Sequence, residues 1–309
     1  MKRISIVSGC YNEVDNVEEL VARVAKVMES LPGYDYEQII IDNASTDGTQ
    51  EILRKLAGGN PRLKIILNAR NFGHIRSPYH GMMQGSGDAV IYLASDLQEP
   101  PELIPDFVKK WEEGAKAVVA IKDSSAESPL FFAVRRFYYR LVEGLADTQT
   151  IQNFTGFGLY DRVIMEYCRG LNDPYPYFRG LIAEIGLPVE RVSYHQPLRT
   201  RGFTKNNLYT LYDMAMLGIT NFSKVPLRLA AMLGFISALL CMIVAVCYLI
   251  YKLLFWYSLP IGTAPMVIGI FFFASVQLFF IGILGEYIGA IHTQVLKRPL
   301  VVEKERINF

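Results

Sequence analysis

One stretch decides the fold of this chain: Asp88-Ala-Val-Ile-Tyr-Leu-Ala-Ser-Asp-Leu-Gln-Glu-Pro-Pro-Glu102. Its apolar part, residues 89–94, predicts a buried strand that ends just before Asp96. Pro100 and Pro101 end the strand, and Pro101 suits the first turn of a helix. Ligands of open α/β sheets bind at the carboxyl ends of strands, where a carboxylate can hold a cation and the cation a phosphate. An aspartate that only caps the next helix is the alternative interpretation.

The composition limits the possible classes of protein. The 309 residues are enough for one large domain or two ordinary ones, and charged residues make up only 20% of them. A net charge of +1 gives no case for nucleic-acid binding. The start of the chain runs directly into a strand-like segment, which predicts no signal peptide. The cysteines have no metal-ligand spacing and favour a reducing compartment over a disulfide framework: Cys10, Cys168, Cys241 and Cys247.

Strand-like and helix-like segments alternate along the first part of the chain. The predicted strands are residues 4–8, 38–41, 64–67, 89–94 and 117–121, and the predicted helices between them are residues 14–31, 49–56 and 75–85. Residues 188–194 read as a last strand. Alternation of this kind predicts an α/β fold with a Rossmann-like, mostly parallel sheet.

Polar clusters follow the predicted strands at the point where each strand ends. They are Tyr11/Asn12/Glu13, Asp42/Asn43/Ser45/Asp47, Arg70/Asn71 and Asp96/Gln98. Because these strands are expected to be parallel, all four clusters should lie on one edge of the sheet, where nucleotides bind. Neither a Walker A motif nor a G-x-G-x-x-G fingerprint is present to explain such a site. An α/β protein with ordinary polar turns is the alternative.

These clusters resemble the motifs of a known family. The matching segments are Tyr11-Asn-Glu13, Asp42-Asn-Ala-Ser-Thr-Asp-Gly48, Arg70-Asn-Phe-Gly73 and Asp96-Leu-Gln-Glu-Pro-Pro101. They look like those of family 2 glycosyltransferases with the GT-A fold. Within that family, the polyprenyl-phosphate glycosyltransferases are most similar, such as bactoprenol glucosyltransferases and dolichyl-phosphate mannosyltransferases. The resemblance covers essentially the whole chain and implies a nucleotide-sugar donor.

The resemblance assigns donor-binding residues at the strand ends. Tyr11, Glu13 and Asp42 would hold the nucleoside, and the same set includes Asn43 and Arg70. The sequence does not decide between a uridine and a guanosine diphosphate donor, although it favours a UDP-sugar. It does not indicate which sugar is transferred.

The family's Asp-x-Asp-x-Gln element holds a divalent metal, Mg²⁺ or Mn²⁺, on the donor diphosphate. Here Asp96 and Gln98 match that element, but Ala94 replaces its first aspartate. A metal would therefore have one carboxylate fewer. Mg²⁺ tolerates one or two carboxylates when phosphate oxygens and waters complete its coordination, so the metal is still expected.

Two further elements bear on catalysis. Gly156 stands where many relatives carry an acid that is proposed as a catalytic base. A phosphate acceptor needs little base help, because its second pKa is about 6. The segment Arg199-Thr-Arg-Gly-Phe-Thr-Lys205 resembles the family's Arg-x-x-Gly-x-Ser-Lys loop, so Arg199 and Lys205 would meet the charge on the leaving diphosphate. A solvated basic turn is the alternative for this loop, and Asp161 is expected to cap the next helix.

A predicted amphipathic helix at residues 128–145 carries both aromatic side chains and arginines. This pattern suits a helix at a membrane surface, although an ordinary core-packing helix has the same periodicity. Lys122, Arg135 and Arg136 are the candidates for holding a lipid phosphate, since phosphate oxygens need cationic donors.

The C-terminal part predicts membrane spans at about 229–251 and 265–285, because a membrane helix needs roughly 20 apolar residues. The flanking cations are Lys224, Arg228, Lys297, Arg298, Lys304 and Arg306. By the positive-inside rule they place both flanks in the cytoplasm. The predicted organisation is a cytoplasmic GT-A domain (1–206), an amphipathic juxtamembrane helix (207–226), the spans (227–290) and a cytoplasmic tail (291–309). The protein would be a multi-pass protein of the inner (plasma) membrane, and its span faces could support a homo-oligomer.

The sequence thus predicts an inverting transfer of one sugar from a nucleotide diphosphate to a polyprenyl phosphate, undecaprenyl phosphate in a bacterium. One alternative is a non-catalytic scaffold of the same fold that binds nucleotide sugar or lipid, which Ala94 and Gly156 keep open. The other is a processive polysaccharide synthase. The acceptor motif Gln-x-x-Arg-Trp of such synthases is missing from this chain.

Overall fold

The computed structural model of this protein describes residues 1–122, 151, 153–197, 216–218, 220, 223–255 and 263–309. These residues form an α/β fold around one sheet. Its strands are β1 Lys2–Cys10, β2 Tyr34–Asp42, β3 Leu63–Asn68, β4 Ala89–Tyr92, β5 Ala117–Lys122, β6 Phe154–Asp161, β7 Val189–Tyr194 and β8 Glu303–Ile307. The helices are α1 Val17–Glu29, α2 Thr49–Gly58, α3 Gly73–Met83, α4 Ile104–Glu112, α5 Arg162–Leu171, α6 Phe178–Glu184, α7 Val225–Leu254 and α8 Thr263–Leu296.

The sheet has the order β7-β5-β6-β4-β1-β2-β3-β8. β1 pairs in parallel with both β2 and β4, and β2 pairs in parallel with β3. The predicted α/β class and the mostly parallel sheet are therefore confirmed. β6 and β8 are antiparallel to their neighbours. Neither of these two strands was predicted from the sequence.

Both faces of the sheet are covered by helices, so the strands are buried on both sides. On one face Ile4 and Ile6 pack with Leu20 of α1 and Phe107 of α4. On the other face the core includes Val7, together with Ile39, Tyr79 of α3 and Ile164 of α5. The continuous apolar runs of β1 and β2 follow from this two-sided burial.

The end of the chain returns to the sheet as β8 instead of forming a free tail. β8 pairs with β3 at the sheet edge, with Ile307 opposite Ile65. Its charged side chains bind the neighbouring helices: Glu305 accepts from Arg54 Nη2 of α2 at 2.8 Å, and Glu303 lies 2.5 Å from His80 Nε2 of α3. Charged residues are common on edge strands, because they discourage pairing with another chain. The sequence Glu-Lys-Glu-Arg-Ile therefore did not read as a strand.

Two C-terminal helices are long and apolar enough to cross a membrane, judged by length and composition, over residues 225–244 and 272–296. The phenol of Tyr287 in α8 donates to the carbonyl of Ser223 just before α7, at 2.7 Å, so the start of α7 lies beside the C-terminal third of α8. α8 continues past the predicted end of the second span, Gly285, to Leu296. Gln294 near that end donates to Asp173 Oδ1 at 2.8 Å, which ties α8 to the domain. The predicted helix at 128–145, the basic loop 199–205 and most of the predicted juxtamembrane helix lie outside the described residues.

Replacing Asn308 with alanine should destabilise the attachment of the chain end. Its Nδ2 donates to the carbonyls of Ala57, Asn60 and Leu63 at 2.9, 3.2 and 2.9 Å, and its φ of 63° is tolerated by asparagine better than by alanine. We expect Asn308→Ala to lower the free energy of unfolding by about 2 kcal/mol, measured by thermal unfolding of the full chain in detergent. Lys304→Ala, at an exposed position of β8 just before Asn308, is the control and should change stability by less than about 0.5 kcal/mol. Equal effects of the two variants would contradict this role of Asn308.

Candidate active site

A cleft of about 330 Å³ opens at the carboxyl ends of β1, β2 and β4. β2 and β4 lie on opposite sides of β1, so the loops after β1 and β4 diverge and leave a crevice, as at the switch point of other α/β sheets. The cleft is lined by Gly9, Cys10, Tyr11, Glu13, Asn43, Asn71, Gly73, His74, Ser77, Pro78, Tyr92, Ala94, Ser95 and Asp96. All four polar clusters predicted from the sequence follow strands that end at this edge, and each of them contributes at least one residue to the lining.

The loop after β1 is fixed to the loop after β2 by hydrogen bonds. Asn12 N donates to Ser45 Oγ at 2.8 Å, and its side-chain Oδ1 accepts from Thr46 N at 2.9 Å. Glu13 N donates to Thr49 Oγ1 at 3.1 Å. Asn12 has a φ of 56°, a left-handed conformation that asparagine tolerates. The two loops therefore form one rigid wall of the cleft.

Tyr11 and Glu13, predicted to bind the donor nucleoside, both line the cleft. Glu13 is nearly buried, and its Oε2 accepts from Asn16 Nδ2 at 2.5 Å. The structure thus places both residues at the cleft, and their contact with a nucleoside stays a prediction.

Asp42 and Asn43, also predicted donor residues, hold the surrounding loops. The buried carboxylate of Asp42 accepts from Gln50 Nε2 at 2.7 Å and from the hydroxyl of Ser45, and burial raises its pKa. Asn43 Nδ2 donates to Asn71 Oδ1 at 2.8 Å and its Oδ1 accepts from Phe72 N at 2.8 Å. Asn43 reaches the cleft lining, whereas Asp42 lies behind it. Any contact of either residue with a nucleotide stays a prediction.

Arg70, the fifth predicted donor residue, is not part of the cleft lining. Its guanidinium lies over the ring of Phe72, with Cζ 4.1 Å from the ring centroid, and Nη1 donates to the carbonyl of Asn71 at 3.0 Å. Its side chain stays exposed at the mouth of the β3–α3 loop.

Asp96 is part of the opposite wall, whereas Gln98 lies just outside the cleft lining. Asp96 lines the cleft, and its Oδ1 accepts the N–H of Gln98 at 3.2 Å. Leu97 between them has a φ of 60°, an unusual conformation for leucine of the kind found at functional sites. Gln98 Nε2 lies 3.4 Å from the carbonyl of Pro197, the last described residue before the basic loop. This contact places Pro197 beside Gln98, one of the candidate metal residues.

The donor set is sparse for a metal. Within the described part of the chain, no group of three or more His, Cys, Asp or Glu side chains comes together to hold one. Asp96 is the only carboxylate of the predicted metal pair, and Gln98 adds an amide oxygen. Mg²⁺ needs only one or two carboxylates when phosphate oxygens and waters supply the remaining ligands. These residues therefore fit a cation that arrives with a diphosphate, and they do not fit a dedicated protein cage.

Glu99 is a site residue that the sequence analysis missed. It is 5% exposed and lies behind the cleft wall, where Oε2 accepts from Ala94 N at 2.6 Å and Oε1 from Thr155 Oγ1 of β6 at 2.7 Å. Burial raises its pKa to about 7, although both hydrogen bonds oppose this shift. Glu99 thus joins the loop after β4 to β6. Its position directly before two prolines, which hold the chain rigid, was the available sequence signal.

Gly156 has a φ of 110°, a conformation that side-chain-bearing residues rarely adopt. A Cβ here would meet the ring of Tyr92 at 3.7 Å, so space is available but the backbone is unfavourable. The backbone thus favours glycine over an acid at this position. Nearby, Asp161 caps α5 as predicted, with Oδ1 accepting from Val163 N at 3.0 Å.

Lys122, a predicted lipid-phosphate residue, ends β5 on the same sheet edge as the end of β4, because β5 and β4 both run antiparallel to β6. The other predicted residues, Arg135, Arg136, Arg199 and Lys205, lie outside the described residues. Their assignments stay predictions.

Comparisons with known proteins show the family of this chain. The family described as Glycosyl transferase family 2 matches residues 5–168. Uncharacterized glycosyltransferase YkcC of Bacillus subtilis (strain 168) is 33% identical over 303 residues, which is 96% of this chain and 92% of the relative. The SfII prophage-derived bactoprenol glucosyl transferase of Shigella flexneri is 31% identical over 304 residues, 98% of each chain. Glucosyl-3-phosphoglycerate synthase from Mycobacterium tuberculosis, solved with Mn²⁺, UDP and glucosyl-3-phosphoglycerate, has a TM-score of 0.49 at 19% identity and covers 71% of this chain and 78% of its own.

Glu99 should make stability depend on pH. Its pKa is about 7 in the folded chain and 4.5 ordinarily, so the native state holds an extra proton between these values. The stability that this proton contributes is complete below pH 4.5 and is lost as the pH rises through 7. The neutral Glu99→Gln keeps an acceptor for Ala94 N and avoids this loss. At pH 8 it should exceed the native chain in unfolding free energy by about 3 kcal/mol, and at pH 4.5 the difference should vanish.

Glu37→Gln is the matched control for this measurement. Glu37 is also buried, but hydrogen bonds from Lys64, Ser5 and Ser86 outweigh the effect of burial and lower its pKa. Lys64 Nζ lies 2.6 Å from its Oε2. Glu37→Gln should therefore lower the free energy of unfolding most at neutral pH and less in acid. This pH trend is opposite to the one expected for Glu99→Gln. A Glu99→Gln difference that is the same at pH 5 and pH 8 would show that Glu99 does not titrate in this range.

Proposed function

This chain belongs to glycosyl transferase family 2, and we propose that it transfers one sugar from a UDP-sugar to a polyprenyl phosphate with inversion at the anomeric carbon. The observation that carries the proposal is the cleft at the switch point of the sheet, with Tyr11 and Glu13 on one wall and Asp96 on the other. The near full-length similarity to a bactoprenol glucosyl transferase supports a polyprenyl acceptor.

We further propose that α7 and α8 anchor the enzyme in the plasma membrane with its catalytic domain in the cytoplasm. In the most apolar stretch of each helix, the share buried inside the protein is 0% for α7 and 6% for α8. A core helix of a soluble protein would be mostly buried. The start of α7 and the end of α8 lie together next to the domain, and Lys224, Arg228, Lys297 and Arg298 flank these ends. Cations on the domain side favour a cytoplasmic domain.

The proposed reaction is a single displacement. An oxygen of the lipid phosphate attacks the anomeric carbon, the bond from that carbon to the donor's diphosphate oxygen breaks, and nucleoside diphosphate leaves. Tyr11 and Glu13 hold the nucleoside, with Asp42 and Asn43 keeping their loops in place. Asp96 and Gln98 would hold a divalent cation, which when bound neutralises charge on the diphosphate. Arg199 and Lys205 would meet the leaving group, and Lys122, Arg135 and Arg136 the lipid phosphate.

The acceptor explains why an acid at Gly156 is dispensable. A sugar hydroxyl must lose its proton to a base during attack, but a phosphate monoester is already largely ionised at neutral pH. The chain therefore needs to position the phosphate and exclude water more than it needs to remove a proton.

A non-catalytic scaffold that binds nucleotide sugar or lipid is the second candidate. The observation in its favour is the single carboxylate at the predicted metal site, where Ala94 lines the cleft in place of an acid. A processive synthase would differ from both candidates by adding more than one sugar to each lipid.

The deciding experiment is a donor screen with the purified full chain, undecaprenyl phosphate and Mg²⁺ or Mn²⁺, followed by mass spectrometry of the lipid fraction. A mass gain of one hexose or N-acetylhexosamine is expected. A ladder of masses would indicate a processive synthase. No product from any donor, with UDP still bound, would support the scaffold.

Asp96→Ala should reduce turnover by at least about a hundredfold, because it removes the only carboxylate of the predicted metal pair. Asp106→Ala, at an exposed position in the first turn of α4, is the matched control and should keep native turnover. Turnover, the dependence on Mg²⁺ concentration and UDP binding are measured for each variant. Full activity of Asp96→Ala would refute the assignment of Asp96.

A further inference from the structure

Three arginines lie near one another where the loop before α3 meets the segment of chain that follows α8. Arg70 and Arg76 both face the ring of Phe72, with Cζ atoms 4.1 and 5.7 Å from its centroid. Arg76 donates through Nη2 to the carbonyl of Pro299, and Arg298 is the residue just before Pro299. None of the three forms an ion pair with any acidic side chain in the described ranges. We call Arg70, Arg76 and Arg298 the arginine cluster.

Arg76 is the unusual member of this cluster. Its Nε is buried and has no hydrogen-bond partner among the described residues. The pKa of Arg76 lies below its ordinary value, because burial removes water and because Arg70 and Arg298 repel its charge. A buried donor without an acceptor and a set of mutually repelling cations both cost folding free energy. An anion bound beside the three side chains would relieve their repulsion.

The position of the cluster indicates where such an anion comes from. Gly73 and His74, which begin α3 three residues after Arg70, line the donor cleft. Arg298 follows the end of α8, one of the two helices proposed to cross the membrane. The cluster therefore lies where the loop before α3 meets the segment of chain that follows α8.

An apolar surface leads along α8 to this cluster. Ile288, Ile291 and Val295 are 63%, 61% and 71% exposed, and their spacing places them on one face of the helix. Ile291 and Val295 also line a mostly apolar groove of about 390 Å³ that reaches Lys297, the residue before Arg298. The exposed face thus continues from the membrane-spanning part of α8 to the cationic site. This arrangement suits an amphiphile with an apolar chain and an anionic head.

We propose that the arginine cluster binds the phosphate of the polyprenyl phosphate acceptor while its isoprenoid chain lies along the exposed apolar face of α8. This inference rests on the acceptor class in the proposed function. Guanidinium groups suit the head because they give phosphate oxygens paired, charge-assisted hydrogen bonds. The site would receive the acceptor at the membrane side of the cleft, before its phosphate meets the donor sugar.

Binding can be tested apart from catalysis with the full chain in detergent. The probes are farnesyl phosphate, farnesol as the same chain without phosphate, inorganic phosphate as the head alone, and UDP. Ligand-induced rises in unfolding temperature are converted to dissociation constants. Farnesyl phosphate should stabilise the native chain more than farnesol or inorganic phosphate does. Arg76→Gln and Arg298→Gln should each weaken farnesyl phosphate by about tenfold or more and leave the response to UDP unchanged.

Arg62→Gln is the charge-matched control, because Arg62 precedes β3 at the opposite edge of the sheet, 3.7 Å from Asp35. It should bind farnesyl phosphate as the native chain does. Arg298→Gln protects the test against misfolding, since Arg298 is exposed. Unchanged farnesyl phosphate binding in both cluster variants would overturn the proposal. Loss of the UDP response instead would also overturn it, because the cluster would then serve the donor diphosphate.

Kinetics separate this proposal from the proposed function. In the transfer assay, Arg76→Gln should raise KM for polyprenyl phosphate about tenfold while KM for the donor stays constant. If the cluster variants transfer sugar with the same KM for polyprenyl phosphate as the native chain, the arginine site is refuted and the proposed function stands. Farnesyl phosphate binding through the cluster, in a native chain that transfers no sugar, would uphold the site and refute the function.

Discussion

The parallel pairing of β1 with both β2 and β4 is the constraint on which the cleft depends. Because β1 has a parallel neighbour on each side, the loops after β1 and β4 leave the sheet in different directions and a crevice opens between them. The close approach of α3 to this crevice requires Gly9, since a Cβ there would lie 2.8 Å from Pro78 Cγ. The shape of the cleft therefore depends on the ends of β1, β2 and β4, which set its floor, its helical side and both loop walls.

Five of the six strands that were predicted carry their burial in their own sequence. β1 to β5 are apolar runs because helices cover both faces of a parallel sheet. β6 and β8 lack such a run. β6 contains Gly156 and Gly158, which weaken a strand pattern, and β8 is mostly charged because it lies at an edge. Both strands are stabilised by pairing with strands far away in the chain, and no local sequence pattern indicates that pairing.

The same distinction applies to the candidate site. The pattern of polar residues after strands correctly placed Tyr11, Glu13 and Asp96 around one cleft. It could not show that the side-chain amide of Asn43 is hydrogen-bonded to the β3–α3 loop, or that Arg70 stacks on Phe72 outside the cleft. Glu99 was missed for a related reason. Its burial depends on Thr155 of β6, the strand that the sequence did not reveal.

The chain end gives the proposed membrane anchor a rigid connection to the cleft. From α8 the chain passes through residues 297–302 into β8, and β8 is hydrogen-bonded to β3. Ala69 N, just after β3, donates to the carbonyl of Val302 at 2.9 Å. The next residue, Arg70, begins the loop that lines the cleft. If α8 crosses the bilayer as proposed, the sheet itself then sets the distance from membrane to donor site. A membrane-bound acceptor must cover that fixed distance, and the exposed apolar face of α8 offers its chain a surface over which to do so.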